Sequence, residues 1–142
     1  FIHSDRSIFK IVDLDEAWAF LNVAQGETLS NKLVRAGRAM NAGVYFVTQS
    51  SGDVSKESLK NNIGLKFAFR STDTNEIKQT LEFFGLDSED ENNQKRLRDL
   101  ENGQCSMQHL YGRVGVVQIH PVFEELLHAF DTRPPVQRNE VE

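Results

Sequence analysis

The sequence predicts a three-layer α/β domain with a mainly parallel sheet and an antiparallel hairpin at its C-terminal end. Three observations predict it. Short runs of β-branched and aromatic residues alternate with helical segments, and strands separated by single helices return by right-handed crossovers and pair in parallel. The first two of those runs are apolar almost throughout, as in strands covered on both faces. Two late runs are joined by Leu110-Tyr111-Gly112, a hairpin signature with glycine at the turn.

The elements follow in order. Ile8 to Leu14 reads as a buried-type strand ending in acids, and Asp15 to Leu21 as a short helix, with Gln25-Gly26 breaking the chain before a second helix from about Thr28. In that helix Leu29, Leu33, Ala36 and Met40 recur at spacings of four, three and four and form one packing stripe. Asn31, Arg35 and Arg38 take a different face. Asn41-Ala42-Gly43 stops the helix, and Val44 to Thr48 is a second strand running into Gln49-Ser50-Ser51-Gly52. A short helix over 54–62, a third strand over Gly64 to Arg70 and a helix capped at Thr72, Asp73 or Thr74 come next. The last of these turns Ile77, Leu81 and Phe84 inward and ends at Gly85. Between Asp87 and Glu101 there are six acids and three bases, the composition of a solvated surface helix or insertion. Gly103 to His109 and Arg113 to Ile119 make the hairpin, and Pro121 opens a final helix with Val122, Phe123, Leu126, Leu127 and Phe130 on a wide apolar face. The folded domain is expected over 1–133 and a polar tail over 134–142.

Composition narrows the function. With 142 residues, 39% hydrophobic and 26% charged, the chain has the makeup of one globular domain, and a net charge of −5 excludes a uniformly basic nucleic-acid face. A single cysteine, Cys105, makes no internal disulfide, and no Cys/His spacing fits zinc. Cys105 and Trp18 read as core residues. The four histidines have no triad relation to Ser50 or Ser51, and GxSxG is absent. The lone cysteine makes a reducing, cytosolic setting the expectation, and no apolar run reaches membrane-spanning length. The chain starts at Phe1 without Met and enters a strand within nine residues, so a longer parent protein is expected.

The chemistry gathers at strand ends, where open α/β sheets bind ligands. An apolar strand ending in Asp15-Glu16 has the Walker B form. The first acid can hold the hydration shell of Mg²⁺ beside phosphates, and the second can take a proton from an attacking water. Asp13 is an alternative first acid. If the two strands are neighbours, Thr48-Gln49 lies beside the acids, and a Gln carboxamide there can donate to a γ-phosphate while accepting from the water. Arg35 and Arg38, three residues apart, can act on a neighbouring subunit's nucleotide as arginine fingers.

The stretch Ile11 to Trp18, the stretch Arg35 to Ser50, and the later Gly103 to Met107, Tyr111 to Gly115 and Ala129 to Pro134 together resemble the C-terminal half of the type IV secretion and conjugation ATPases of the VirB-four type. That resemblance implies a partial RecA-like core of the HerA-FtsK superfamily, a P-loop NTPase fold using ATP and Mg²⁺. It implies Asp15 on the metal side, Glu16 as catalytic base, Gln49 as γ-phosphate sensor, and Arg38, with Arg35 second, acting across subunits. Arg113 would face the nucleotide or the subunit boundary. The implied partners are copies in a ring, usually a hexamer, and other secretion-channel components, on the cytoplasmic inner face of the membrane, with DNA within reach of pore loops. One departure is large: GxxxxGK[ST] occurs nowhere in the chain. The fragment alone is therefore expected to bind ATP poorly and to be inactive. The alternatives are a DNA-translocating ATPase of the coupling-protein or HerA type, which shares every residue named, and a non-catalytic interaction module.

Overall fold

A computed structural model describes residues 5–54, 57–129 and 131. Strand β1 (Lys10–Leu14) alternates half-buried Lys10, Val12 and Leu14 with exposed Ile11 and Asp13. It pairs in parallel with β2 (Ala42–Phe46), Lys10 opposite Ala42 through to Leu14 opposite Phe46. Strand β2 starts two residues earlier than its sequence suggests, so Thr48 and Gln49 lie beyond its end.

Helices α1 (Ala17–Leu21) and α2 (Ala24–Ala36) lie between these strands. Gly26 does not break the chain. It sits buried inside α2, where an added Cβ would fall 2.0 Å from the Phe20 carbonyl oxygen, so glycine lets the two helices touch. The inward positions of α2 are Gly26 and Ser30, with Val34 packed on the core. The predicted stripe is displaced as a result: Leu29 is 45% exposed. Small residues permit the close approach, and the larger leucine turns to the outer side.

A 3-10 turn over Ser51–Val54 precedes a short α3 (Glu57–Lys60), which lies within the helix expected over 54–62. Strand β3 (Lys66–Ala68) leads into α4 (Thr74–Phe84), capped by the Asp73 side chain and closed at Gly85, whose φ of 73° suits glycine. The acidic stretch forms α5 (Glu91–Arg98), anchored by Leu97 and followed by buried Leu100. Strands β4 (Gln104–Gln108) and β5 (Val114–Gln118) form the hairpin, with Gly112 at φ 78° in the turn.

The α/β class is the one predicted, with the sheet divided in two: the parallel β1-β2 pair and an antiparallel sheet in the order β3-β4-β5. The connection through α1 and α2 returns the chain parallel to β1, whereas the connection through α4 and α5 brings β4 back antiparallel to β3.

The core joins Ala17 and Leu21 to Val54, Leu59, Phe83 and Phe84, with Leu14, Phe46 and Val114 packed against them. A second cluster holds α5 to α4 through Ile77, Leu81, Leu97 and Leu100. Cys105 is fully buried, as expected. Trp18 is not a core residue: it is 45% exposed and turns toward the end of β1. Helix α6 (Glu124–Ala129) exposes Leu126 and Leu127, so its apolar face packs on none of the described core. Phe130, Arg133 and the predicted tail lie outside the described residues. Among those described, no helix is long and apolar enough to cross a membrane.

Candidate functional site at the ends of β1 and β2

Beyond the paired strands the backbone stays tied. The Val47 amide donates to the Leu14 carbonyl at 3.0 Å and the Ala17 amide to the Val47 carbonyl at 2.9 Å. These bonds set Asp15-Glu16 beside Thr48-Gln49, as the sequence required if the strands were neighbours. Glu16 occupies the left-handed region, φ 53° and ψ 45°. For a residue other than glycine that conformation costs on the order of 1–3 kcal/mol, and such positions concentrate where a side chain must be aimed. Its amide donates to Asp15 Oδ1 at 3.0 Å.

Both oxygens of the Glu16 carboxylate are engaged. Oε1 accepts from Gln49 Nε2 at 3.0 Å, and Oε2 from the Trp18 indole N–H at 2.5 Å. The pairing of Glu16 with Gln49, 33 residues apart, is created by the parallel register of β1 and β2. Glu16, Gln49 and Asp15 are all exposed, so a ligand can reach them. Asp13 lies within β1 opposite Tyr45, one residue before the strand ends.

The chain after Gln49 is firmly held. Thr48 Oγ1 donates to Asp53 Oδ2 at 2.5 Å, and the hydroxyls of Ser50 and Ser51 donate to Glu76 on α4. Burial of the Glu76 carboxyl works against its charge, yet the Ser51 amide and the Ser50, Ser51 and Thr80 hydroxyls outweigh it and hold the group below the usual glutamate range.

The arginines are placed elsewhere. Helix α2 stops at Ala36, and Arg38 begins a separate 3-10 turn (Arg38–Met40), so Arg35 and Arg38 do not share one continuous helix. At Gly37, between the two, an added Cβ would meet the Ala42 carbonyl oxygen at 2.8 Å, so glycine lets the chain pass close to the start of β2. Arg35 is exposed on the last turn of α2. Arg113 is exposed at the β4–β5 turn, beside Leu65, His109, Leu110 and Tyr111. The structure thus brings Asp15, Glu16 and Gln49 together and leaves Arg35 and Arg113 on other elements.

Two partners escape the sequence reading. Trp18 reads as a core residue because tryptophan is usually buried; its place two residues after Glu16, at a helix start, is the signal that points to the acid. Glu76 carries the D-x-x-E spacing of a helix cap and gave no sign of a longer reach.

The donor set suits a hydrated Mg²⁺. Asp15 supplies an exposed hard carboxylate whose Oδ1 accepts from the adjacent Glu16 amide, and Mg²⁺ keeps several waters and binds through one or two carboxylates plus phosphate oxygens. No group of three or more His, Cys, Asp or Glu able to hold a metal occurs among the described residues, so an all-protein metal cage is not formed there. Burial pushes the Cys105 thiol up, which leaves it protonated and unsuited to nucleophilic work at neutral pH.

The "uncharacterized protein YddE" of Bacillus subtilis (strain 168) is 34% identical over 119 residues, a stretch covering 84% of this chain and 14% of that protein. The chain therefore spans a small part of its relative's length. The model of the AAA-like domain matches residues 1–130, taking in the β1–β2 site, the helices and the hairpin in one alignment, and by that match the chain belongs to the AAA-like domain family, relatives of the P-loop ATPases.

Proposed function

We propose that the chain is the hydrolytic half of a motor ATPase that powers conjugative DNA transfer or type IV secretion. The observation that supports this most directly is the Gln49–Glu16 hydrogen bond at the ends of two parallel strands, with Asp15 adjacent. Glu16 accepts a proton from the attacking water. The Gln49 carboxamide, one N–H on Glu16, keeps its oxygen to orient that water and its second N–H for a phosphate oxygen. Asp15 holds the hydration shell of Mg²⁺, which when bound neutralises charge on the phosphates. Trp18 fixes the second oxygen of Glu16. Arg38, with Arg35 second, acts on the nucleotide of a neighbouring subunit in a ring, and Arg113 lies toward the nucleotide or the boundary between subunits.

The chain has no GxxxxGK[ST], so in this reading the phosphate cradle comes from another part of the full-length protein and the 142-residue piece alone does not turn over ATP. The motor works at the cytoplasmic face of the membrane with channel components as partners. Family membership supports the ATPase class, and the conjugation or secretion role rests on the sequence resemblance.

The test is ATP turnover by the full-length protein. Glu16→Gln is expected to lower kcat by about two to four orders of magnitude with folding retained. Turnover equal to that of the unmodified protein would instead mark a non-catalytic docking module.

A further inference from the structure

Glu76 has the position of a capping-box glutamate but does not act as one. Asp73 caps α4 by accepting from the Glu76 amide at 2.8 Å, and in a capping box the glutamate three residues on reaches back to the amide of the cap residue. Here the Asp73 amide donates to Ser71 Oγ at 3.3 Å, and the Glu76 carboxylate turns the other way. Its Oε2 accepts from Ser50 Oγ at 2.8 Å. Its Oε1 accepts from the Ser51 amide at 2.7 Å, from Ser51 Oγ at 2.9 Å and from Thr80 Oγ1 at 3.4 Å.

Three of those four donors come from the two residues that follow Gln49. One is a backbone amide, so the carboxylate holds the main chain as well as the side chains. Bonds to a charged acceptor are roughly twice as strong as neutral ones, and this acceptor is half-buried. On the other side of Gln49, the Val47 amide is bound to the Leu14 carbonyl. The segment carrying Gln49 is thus fastened at both ends, to β1 before it and to α4 after it.

We propose that Glu76 is a positioning residue for Gln49: by clamping Ser50 and Ser51 to the first turn of α4, it sets the reach of the Gln49 carboxamide to Glu16 and to the γ-phosphate. This rests on the reading of Gln49 and Glu16 as the hydrolytic pair. Helix α4 in turn packs on α5 through Ile77, Leu81 and Leu97, so that helical pair is coupled to the Gln49 segment through the Glu76 carboxylate and, at 3.2 Å, the Thr80 hydroxyl on Ser51 Oγ.

The test is a double-mutant cycle in the full-length protein, read as steady-state ATP hydrolysis. Glu76→Gln keeps the size of the side chain and removes its charge and one acceptor. It is expected to lower kcat by about 10- to 100-fold, the loss that follows from a misplaced catalytic group, with KM for ATP little changed. Gln49→Ala is expected to lower kcat at least as much, and adding Glu76→Gln to it to cost nothing further, because both changes remove the same contribution. Where Glu76→Gln reduces the folded fraction in a thermal melt, Ser50→Ala removes one donor with a smaller disturbance and is expected to show the same absorption by Gln49→Ala. Multiplying losses in the double variant overturn the inference, since a merely structural clamp acts independently of Gln49. An unchanged kcat for Glu76→Gln beside a lowered one for Gln49→Ala also overturns it and leaves the hydrolytic pair standing. If Glu16→Gln and Gln49→Ala both turn over like the unmodified protein, the hydrolytic reading itself falls, and the inference with it.

Discussion

Gly26 shows how a residue is misread when only its propensity is considered. Inside a polar stretch it resembles a helix breaker, yet it lies within α2 because the Phe20 carbonyl occupies the space a side chain would need. Gly26→Ala is expected to destabilise the chain by about 3 kcal/mol, the upper end for overpacking, because the obstructing atom is backbone and cannot rotate away. Leu29→Ala, on the outer side of the same helix, is expected to stay within about 0.5 kcal/mol, and urea midpoints of the two variants compare them directly. Trp18 is the opposite case. Its size argued for the core, while its indole N–H had a nearby carboxylate to satisfy. At the residue scale, then, Asp15, Glu16 and Gln49 stand out because they follow directly on the ends of two strands, and the structure places them side by side. Trp18 and Glu76 were not, because their partners are chosen by three-dimensional neighbours.

Among the elements, those with local signals were the most readable. Asp73 before α4, Gly85 after it and Gly112 in the hairpin each stand where the backbone needs a cap or a positive φ, and each is found there. Asp73→Ala is expected to cost about 1 kcal/mol, measured as a shift in the urea midpoint, since the Glu76 amide loses its acceptor. The same change frees the first turn of α4, which carries the Glu76 clamp. Elements without such signals were misplaced. Of the helix expected over 54–62 the described helical residues are those of α3 (Glu57–Lys60), and the face of α2 that turns inward is set by Gly26, Ser30 and Val34, not by its leucines. Apolar periodicity says which residues gain from burial, but which helix face meets a neighbour depends on how closely the backbones can approach.

Over the whole molecule, large apolar side chains stay uncovered on both sheets. Ile11 is 60% exposed on β1 and Phe67 is 51% exposed on β3, with Tyr45 and Phe69 exposed nearby. Exposed apolar side chains of this size mark candidate interaction surfaces. If the site is shared between subunits, mixing full-length Glu16→Gln protein with full-length Arg38→Ala protein is expected to restore ATP turnover above the average of the two alone. Each mixed boundary of one orientation pairs an intact Glu16 with an intact Arg38. Turnover at or below that average places Arg38 outside a shared site.

The α/β class, the hairpin and the acids and amide that end the first two strands can be read from the amino acids alone, because these depend on local propensity and turn chemistry. Only the tertiary structure decided that β3 joins the hairpin, that α2 packs through its small residues, and that Trp18 and Glu76 fasten Glu16 and the Gln49 segment. Those outcomes depend on distances between atoms far apart along the chain, and a hydrogen bond or a close helix contact forms only where the folded backbone brings the two groups within reach.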